Sequence, residues 1–277
     1  IQNCSNEGDV SGKTTGGVGG IAAYVNNKSK IDSCLNNGKI GTSSDKYSGG
    51  IAGYVTKGPD IKISNCENKG VIVANEQAGG IVGITTDISS IENCKNSGNV
   101  SAGDTGMAGG IAGSTSQSTV KKCSNTASVH GRYAGGVIGN DAYSTIDNCS
   151  GGKAAITSPA HSIGFTGHSF KMEVPENGSS GRILGSHQGA GPGKYTILIL
   201  SSESDDDNTL GTIGICGYTT TMPLLKITSG TFYGDPLAGN RSTIILEEGA
   251  SWGERKAGAY CRGGVEESTR IAVWTLQ

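Results

Sequence analysis

Charge is scarce in this chain of 277 residues. Asp, Glu, Lys and Arg make up 17%, and the net charge is -2. A nucleic-acid binder would show a basic face, so that class is excluded, as is a highly charged disordered tail. Aromatic residues are also scarce, at 5%. Apolar runs never approach the roughly 20 residues that a spanning helix needs, so no membrane insertion is expected. Long amphipathic helical periods are missing. Leucine is nearly absent from the first half, with Leu35 almost alone, whereas a leucine-rich repeat needs several spaced leucines in each unit. The four histidines, His130, His161, His168 and His187, lie in no His-Glu-x-x-His frame, and no Cys-x-x-Cys pair exists. The usual zinc signatures are therefore absent, and neither a metal nor a cofactor is expected.

Glycine is abundant, at 47 residues, yet it follows no Gly-X-Y period, which excludes collagen. It recurs instead inside one stretch. Gly-Gly-Ile-Ala-Gly stands at Gly49 to Gly53 and at Gly109 to Gly113. Variants occupy Gly19 to Ala23, Gly79 to Gly83 and Gly135 to Gly139. The second glycines fall at Gly20, Gly50, Gly80, Gly110 and Gly136. A step of about 30 residues marks a repeat in which one supersecondary unit stacks on the next. The recurrence also removes a nucleotide-loop reading, since no copy is followed by the Lys and Ser/Thr of a phosphate loop.

A second frame precedes each glycine pair. It reads Ile1, Asn3, Cys4, Asn6, Gly8 and Val10, and it returns from Ile31, Ile63, Ile91 and Val120, then decays after Ile146 and Cys149. Cys4, Asn6, Gly8 and Val10 share one parity, so in a strand they point to one side. Ile1 has the other parity, so a corner must fall between Ile1 and Cys4 if both face inward. The asparagine column Asn6, Asn36, Asn68, Asn96 and Asn125 should stack at about 4.8 Å, amide on amide. Asn also suits the left-handed conformation of a corner. Ile21, Ile51, Ile81, Ile111 and Val137 form an apolar column, but so do the residues after them, Ala22, Ala52, Val82, Ala112 and Ile138. Either that strand is covered on both faces or the glycine pair bends the chain. The small residue that follows, Gly53 or its equivalents, implies backbone crowding or a positive φ.

These features specify an all-β chain. The expected architecture is a right-handed parallel β-helix, a solenoid of about 30-residue coils with three short strands each, and right-handed because parallel crossovers nearly always are. Residues 1-164 should form about six coils. Residues 165-277 lose the frame but keep strand signals at Phe170 to Val174, Tyr195 to Leu200, Thr212 to Ile215, Leu224 to Thr228, Thr243 to Leu246 and Ile271 to Leu276. They read as irregular further coils with a cap, to which Trp252 and Trp274 would contribute; a separate β domain is the alternative. The first repeat begins at Ile1 with no signal peptide before it, as in a mature or excised part of a larger polypeptide.

The combined frame, Ile-x-Asn-Cys-x-Asn-x-Gly-x-Val with Gly-Gly-Ile-Ala-Gly, resembles the GLUG-motif repeats over roughly Ile1 to Gly164. Those repeats occur in large bacterial surface and secreted proteins, among them adhesin-like proteins of gut bacteria and regions flanking IgA-cleaving metallopeptidase domains. The resemblance implies a β-helical stalk or adhesive region, with an extracellular or cell-surface location.

No catalytic residue emerges, and the binding surface is left unknown beyond the outward loops. Cys4, Cys34, Cys66, Cys94, Cys123 and Cys149 form one column and read as small buried hydrophobes, since parallel stacking holds their Cβ atoms too far apart for disulfides. Cys216 and Cys261 stay unassigned, with a disulfide between them left open. Asp205, Asp206 and Asp207 after Glu203 read as a solvated loop, because calcium loops space their carboxylates at alternate positions. His161, His168 and His187 have no spacing that enforces convergence. A polysaccharide-cleaving β-helix would stack acids on neighbouring coils, but the column Gln2, Asp32, Ser64, Glu92, Lys121, Asp147 does not, nor does Ser5, Leu35, Glu67, Lys95, Ser124, Ser150. Tyr24 and Tyr54 match in register as a sugar platform would, but Ile84 and Ser114 follow them. The leading expectation is a non-catalytic repeat region, adhesin or stalk, with a host glycan or protein as partner. A carbohydrate-active β-helix enzyme and an accessory region of a secreted peptidase are the alternatives.

Overall fold

A computed structural model describes residues 1-12, 16-56, 58, 60-86, 89-147, 149 and 151 with their side chains, and further along the chain only the backbone of eight strands. No helix occurs among the described residues. Parallel strands stack as a β-solenoid of about five coils of ~29 residues. Each full coil carries five short strands rather than three. In one coil they are Ile61–Ser64, Glu67–Asn68, Ile72–Ala74, Gln77–Gly79 and Val82–Thr85. Each pairs in parallel with its counterpart one repeat away, so the coil has five walls.

The first corner lies where the parity of Ile1 and Cys4 requires it. Asn3, Ser33, Asn65, Asn93 and Lys122, each immediately before a cysteine, have φ of 53°, 55°, 55°, 51° and 53°. This left-handed residue turns the first wall into the second, so Ile63 and Cys66 both point into the core, each 1% exposed. The asparagine column after the cysteines is not the left-handed one; it has another task. Asn6 Nδ2 donates to Asn36 Oδ1 at 2.7 Å, Asn36 to Asn68 at 2.7 Å, Asn68 to Asn96 at 2.7 Å and Asn96 to Asn125 at 2.8 Å. The second amide hydrogen of each donates to the carbonyl two residues on, as Asn68 does to Gly70 at 2.9 Å. A buried primary amide must satisfy two donors and its carbonyl, and this ladder does so from within the repeat.

The glycine pair makes room for it. A Cβ on Gly50 would lie 2.5 Å from Asn68 Oδ1, and one on Gly80 would lie 2.3 Å from Asn96 Cγ. The flat amide therefore rests on the second glycine of the opposite wall. The chain also bends there. Ile51 N and Ala52 N both donate to Ile81 O, at 2.9 and 3.0 Å, and the same shared carbonyl recurs at Ile111 and Val137. Two successive residues thus face inward, and Ile51, Ala52, Ile81, Val82, Ile111 and Ala112 are all fully buried in one cluster. The second apolar column needs no external cover. The third glycine answers to crowding and not to φ: a Cβ on Gly53 would come within 2.3 Å of Val18 N on the coil below, while the described glycines with positive φ are Gly41 and Gly58.

The interior forms two apolar clusters. The larger contains the isoleucine and cysteine columns, and the smaller contains Val18, Ile40, Ile72, Val100 and Val129 with small alanines. The asparagine ladder lies between Cys66 and Ile72 in sequence and touches the glycine pair across the coil.

Beyond Gly151 the first wall continues. Ile197–Leu200 pairs in parallel with the strand Thr145–Asp147, then Leu224–Ile227, Ser242–Leu246 and Ala272–Leu276 follow in turn. Leu184–His187 extends the fifth wall, and Gly230–Tyr233 pairs with Ala250–Gly253. The strand signals at Tyr195, Leu224, Thr243 and Ile271 thus correspond to strands. Those at Phe170 to Val174 and Thr212 to Ile215, the side chains of Trp252 and Trp274, and Cys216 and Cys261 lie outside the described residues.

Two substitutions test this account. Asn68→Ala removes the bonds from Asn36 Nδ2, to Asn96 Oδ1 and to Gly70 O, and should cost of the order of 3 kcal/mol, read as a lowered urea midpoint; an unchanged midpoint would overturn the ladder. Lys122→Asn places the residue best suited to the left-handed region at a corner now held by an exposed lysine. It should stabilise by roughly 0.5–1 kcal/mol, measured by thermal melting.

Candidate functional site

The outer surface is where the repeats cease to be equivalent. Tyr24 and Tyr54 are register partners on the fifth wall, and their ring centroids lie 5.3 Å apart at 41°. A third ring joins them. Tyr47 opens the fourth wall of the same coil as Tyr54, and the two rings stack at 5.5 Å and 16°. Tyr47 lies in a different column from Tyr24 and Tyr54, so equivalent positions on successive coils do not reveal it. Tyr47 and Tyr54 instead flank one Gly-Gly-Ile-Ala-Gly segment, and the bend at Gly50 and Ile51 brings their rings together. Tyr24 is 55% exposed, while Tyr47 and Tyr54 are half-buried. Lys46 Nζ lies 5.2 Å above the Tyr47 ring and 3.4 Å from Glu76 Oε1. The rings stop at the next coil, where Gln77 follows Tyr47 and Ile84 follows Tyr54 in register.

The acids on the first wall are kept apart by other residues, as their columns imply. Asp32 pairs in register with Ser64, Ser64 with Glu92, and Glu92 with Lys121. Glu92 Oε2 is 2.7 Å from Lys62 Nζ and Oε1 is 3.1 Å from Lys121 Nζ. Lys62 first, then Ser90, hold the Glu92 carboxyl down to about 2. A carboxylate so held is a poor proton donor near neutrality. Asp32 is lowered as well, by hydrogen bonds from Ser64, Asn65 and Ser33.

The cysteine column is a set of free thiols, buried except at Cys4. Each sulfur donates to the carbonyl two residues before it, as Cys66 does to Ser64 O at 3.1 Å and Cys149 to Asp147 O at 3.3 Å. Burial pushes the Cys34 and Cys149 thiols up, whereas hydrogen bonds from neighbouring thiols, Cys94 for Cys66 and Cys149 for Cys123, hold those two down.

One interior corner changes character along the stack. The column that starts with Val25 and Val55 continues with Thr85. Thr85 Oγ1 meets Ser118 Oγ at 2.8 Å, and Ser89 Oγ meets it at 3.0 Å. Further along, Thr115 Oγ1 donates to the buried Asp141 Oδ1 at 2.6 Å. His130 is exposed on the third wall, and His187 is a backbone partner of Asp141. His161, His168 and Asp205 to Asp207 lie outside the described residues.

The Glu92 pair predicts a pH dependence. Its folded pKa lies below the unfolded value, so its contribution is complete above the ordinary carboxylate range and is lost as pH falls toward about 2. Wild type should melt above Glu92→Gln near neutrality, and the gap should close as pH drops from about 5 to about 2. A gap that stays constant in thermal melts would overturn the assignment.

Residues 74–101 match the family model of the GLUG motif. That segment contains the glycine motif of Gly79 to Gly83 and the Ile91 to Val100 frame, one full repeat as the structure draws it. No curated protein and no solved structure matches the chain. The coils above and below present the same columns in register, and the chain is a β-solenoid in which one repeat, residues 74–101, matches the GLUG motif.

Proposed function

We propose that this chain is a non-catalytic repeat region of a bacterial cell-surface or secreted protein, where it acts as a stalk that carries or forms an adhesive surface. The observation that carries this reading is where the polar chemistry of the repeat is used. The asparagine amides bond to one another, the cysteine thiols bond to their own coil, and the glycines admit close backbone contact. The asparagine column holds one coil to the next. Apart from the buried corner at Thr85, Thr115 and Asp141, variation falls at outward positions, where loops on a rigid scaffold usually bind.

A partner outside the cell, a host glycan or protein, follows from that reading, as does membership of a larger polypeptide. The charge pattern favours the stalk over a polysaccharide-cleaving enzyme, because the best-placed acid, Glu92, is clamped between two lysines.

Antibodies against the purified chain should label intact, unpermeabilised cells of the organism that makes it, or detect it in the culture medium. Signal confined to the soluble fraction of broken cells would overturn the proposal. Release of reducing sugar from a polysaccharide panel would overturn its non-catalytic part.

A further inference from the structure

One outward column changes its chemistry at a single coil. A residue beyond the stacked asparagines it reads Glu7, Asn37, Lys69, Ser97 and Thr126. Among the described residues, Asn37 is the one asparagine that stands directly before a glycine, Gly38. We propose that Asn37 is a site of spontaneous covalent modification, at which the chain converts its own side-chain amide to a carboxylate through a cyclic imide with Gly38.

The chemistry needs only water. The Gly38 backbone nitrogen attacks Asn37 Cγ, and the new N–Cγ bond closes a succinimide ring. The Cγ–Nδ2 bond breaks, and Nδ2 leaves as ammonia with the Gly38 amide proton. Water then opens the ring at either carbonyl and leaves aspartate or isoaspartate. One water enters, one ammonia departs, and nothing is oxidised or reduced.

Three observations place the reaction here. The Asn37 side chain is exposed, and Nδ2 is tied only to the Glu7 carboxylate, at 3.0 Å to Oε1 and 2.9 Å to Oε2. A surface bond of that kind leaves the side chain free to turn onto its neighbour. The nucleophile is also unencumbered. Gly38 has no Cβ to hinder the approach, and its amide makes no hydrogen bond among the described residues. The equivalent amides are held: Gly70 N donates to Asn36 O at 3.3 Å, Gly98 N to Asn96 Oδ1 at 3.3 Å and Ala127 N to Asn125 Oδ1 at 3.1 Å. The other asparagines are protected. Asn36, Asn68 and Asn96 are buried with both amide hydrogens bonded, and the exposed Asn26, Asn27, Asn75 and Asn99 precede residues with side chains. Either product loses the bond to Glu7 and sets a second negative charge against it, at the joint between the first two coils. Isoaspartate also lengthens the main chain inside the loop that Asn36 Nδ2 closes onto Gly38 O at 2.8 Å.

The inference stands apart from the stalk reading, and its test needs no ligand. The whole folded chain is held in warm, mildly alkaline buffer and sampled over several weeks. Tryptic mapping by mass spectrometry then locates each asparagine that has exchanged NH2 for OH, and enzymatic methylation scores isoaspartate. Fragment ions separate Asn37 from Asn36, and Asn177, which also precedes a glycine, falls in another peptide. Conversion at Asn37 should run about tenfold or more ahead of that at Asn26, Asn27, Asn75 or Asn99, and should quicken as pH rises and the Gly38 amide loses its proton more readily. Asn37→Gln, whose longer side chain closes the ring poorly, should melt as wild type does and abolish the change in that peptide. Glu7→Ala, which frees the Asn37 side chain, should hasten conversion. Conversion at Asn37 no faster than at the other exposed asparagines would overturn the proposal. So would conversion that appears only when the chain is unfolded in urea, since the fold would then protect the site.

Discussion

The asparagine ladder and the glycines opposite it are the constraint on which the rest of this solenoid depends. An amide buried in an apolar interior costs several kcal/mol unless its groups are paired. Here each amide finds its partners in its own coil and in the next. That pairing is possible only if successive coils sit in register, so the ladder sets the stacking of every other column. It also demands space. Asn68 lies against Gly50 at a distance no side chain would permit. The Gly-Gly pair and the asparagine, about 20 residues apart in the sequence, are therefore two halves of one contact.

The same contact accounts for the shape of the coil. Glycine at the bend lets two consecutive amides share one carbonyl, which turns both Ile51 and Ala52 inward. The ladder lies between a large isoleucine and cysteine cluster and a smaller valine and alanine cluster. Neither cluster needs large aromatics, which explains how a chain with so few of them builds a continuous core. It also explains why a cysteine suits its column: it is small, apolar and able to donate weakly to a nearby carbonyl.

A scaffold held this way leaves its outer positions free to vary. The charged pairs around Glu92 and the tyrosine cluster at Tyr54 both sit on the same repeat without repeating themselves. Function in such a molecule is to be sought where the columns break and not where they persist.

The repeat was legible in the sequence because stacking is strictly local in register: identical residues recur where identical contacts recur. Composition and spacing alone determined the parallel solenoid, the length of its coil, the inward isoleucine columns, the stacked asparagines, the free thiols and the corner between Ile1 and Cys4. Other features depended on how one coil folds across itself. The coil has five strands and not three, because strands of two or three residues carry no periodicity. The left-handed residue is Asn65 and not Asn68, because the two asparagines differ only in what surrounds them. The second apolar column is covered by a bend, not by another layer. Tyr47 meets Tyr54 because that bend reverses the chain between them. Spacing along a chain reports which residues share a column, but only the tertiary structure decides which columns face each other.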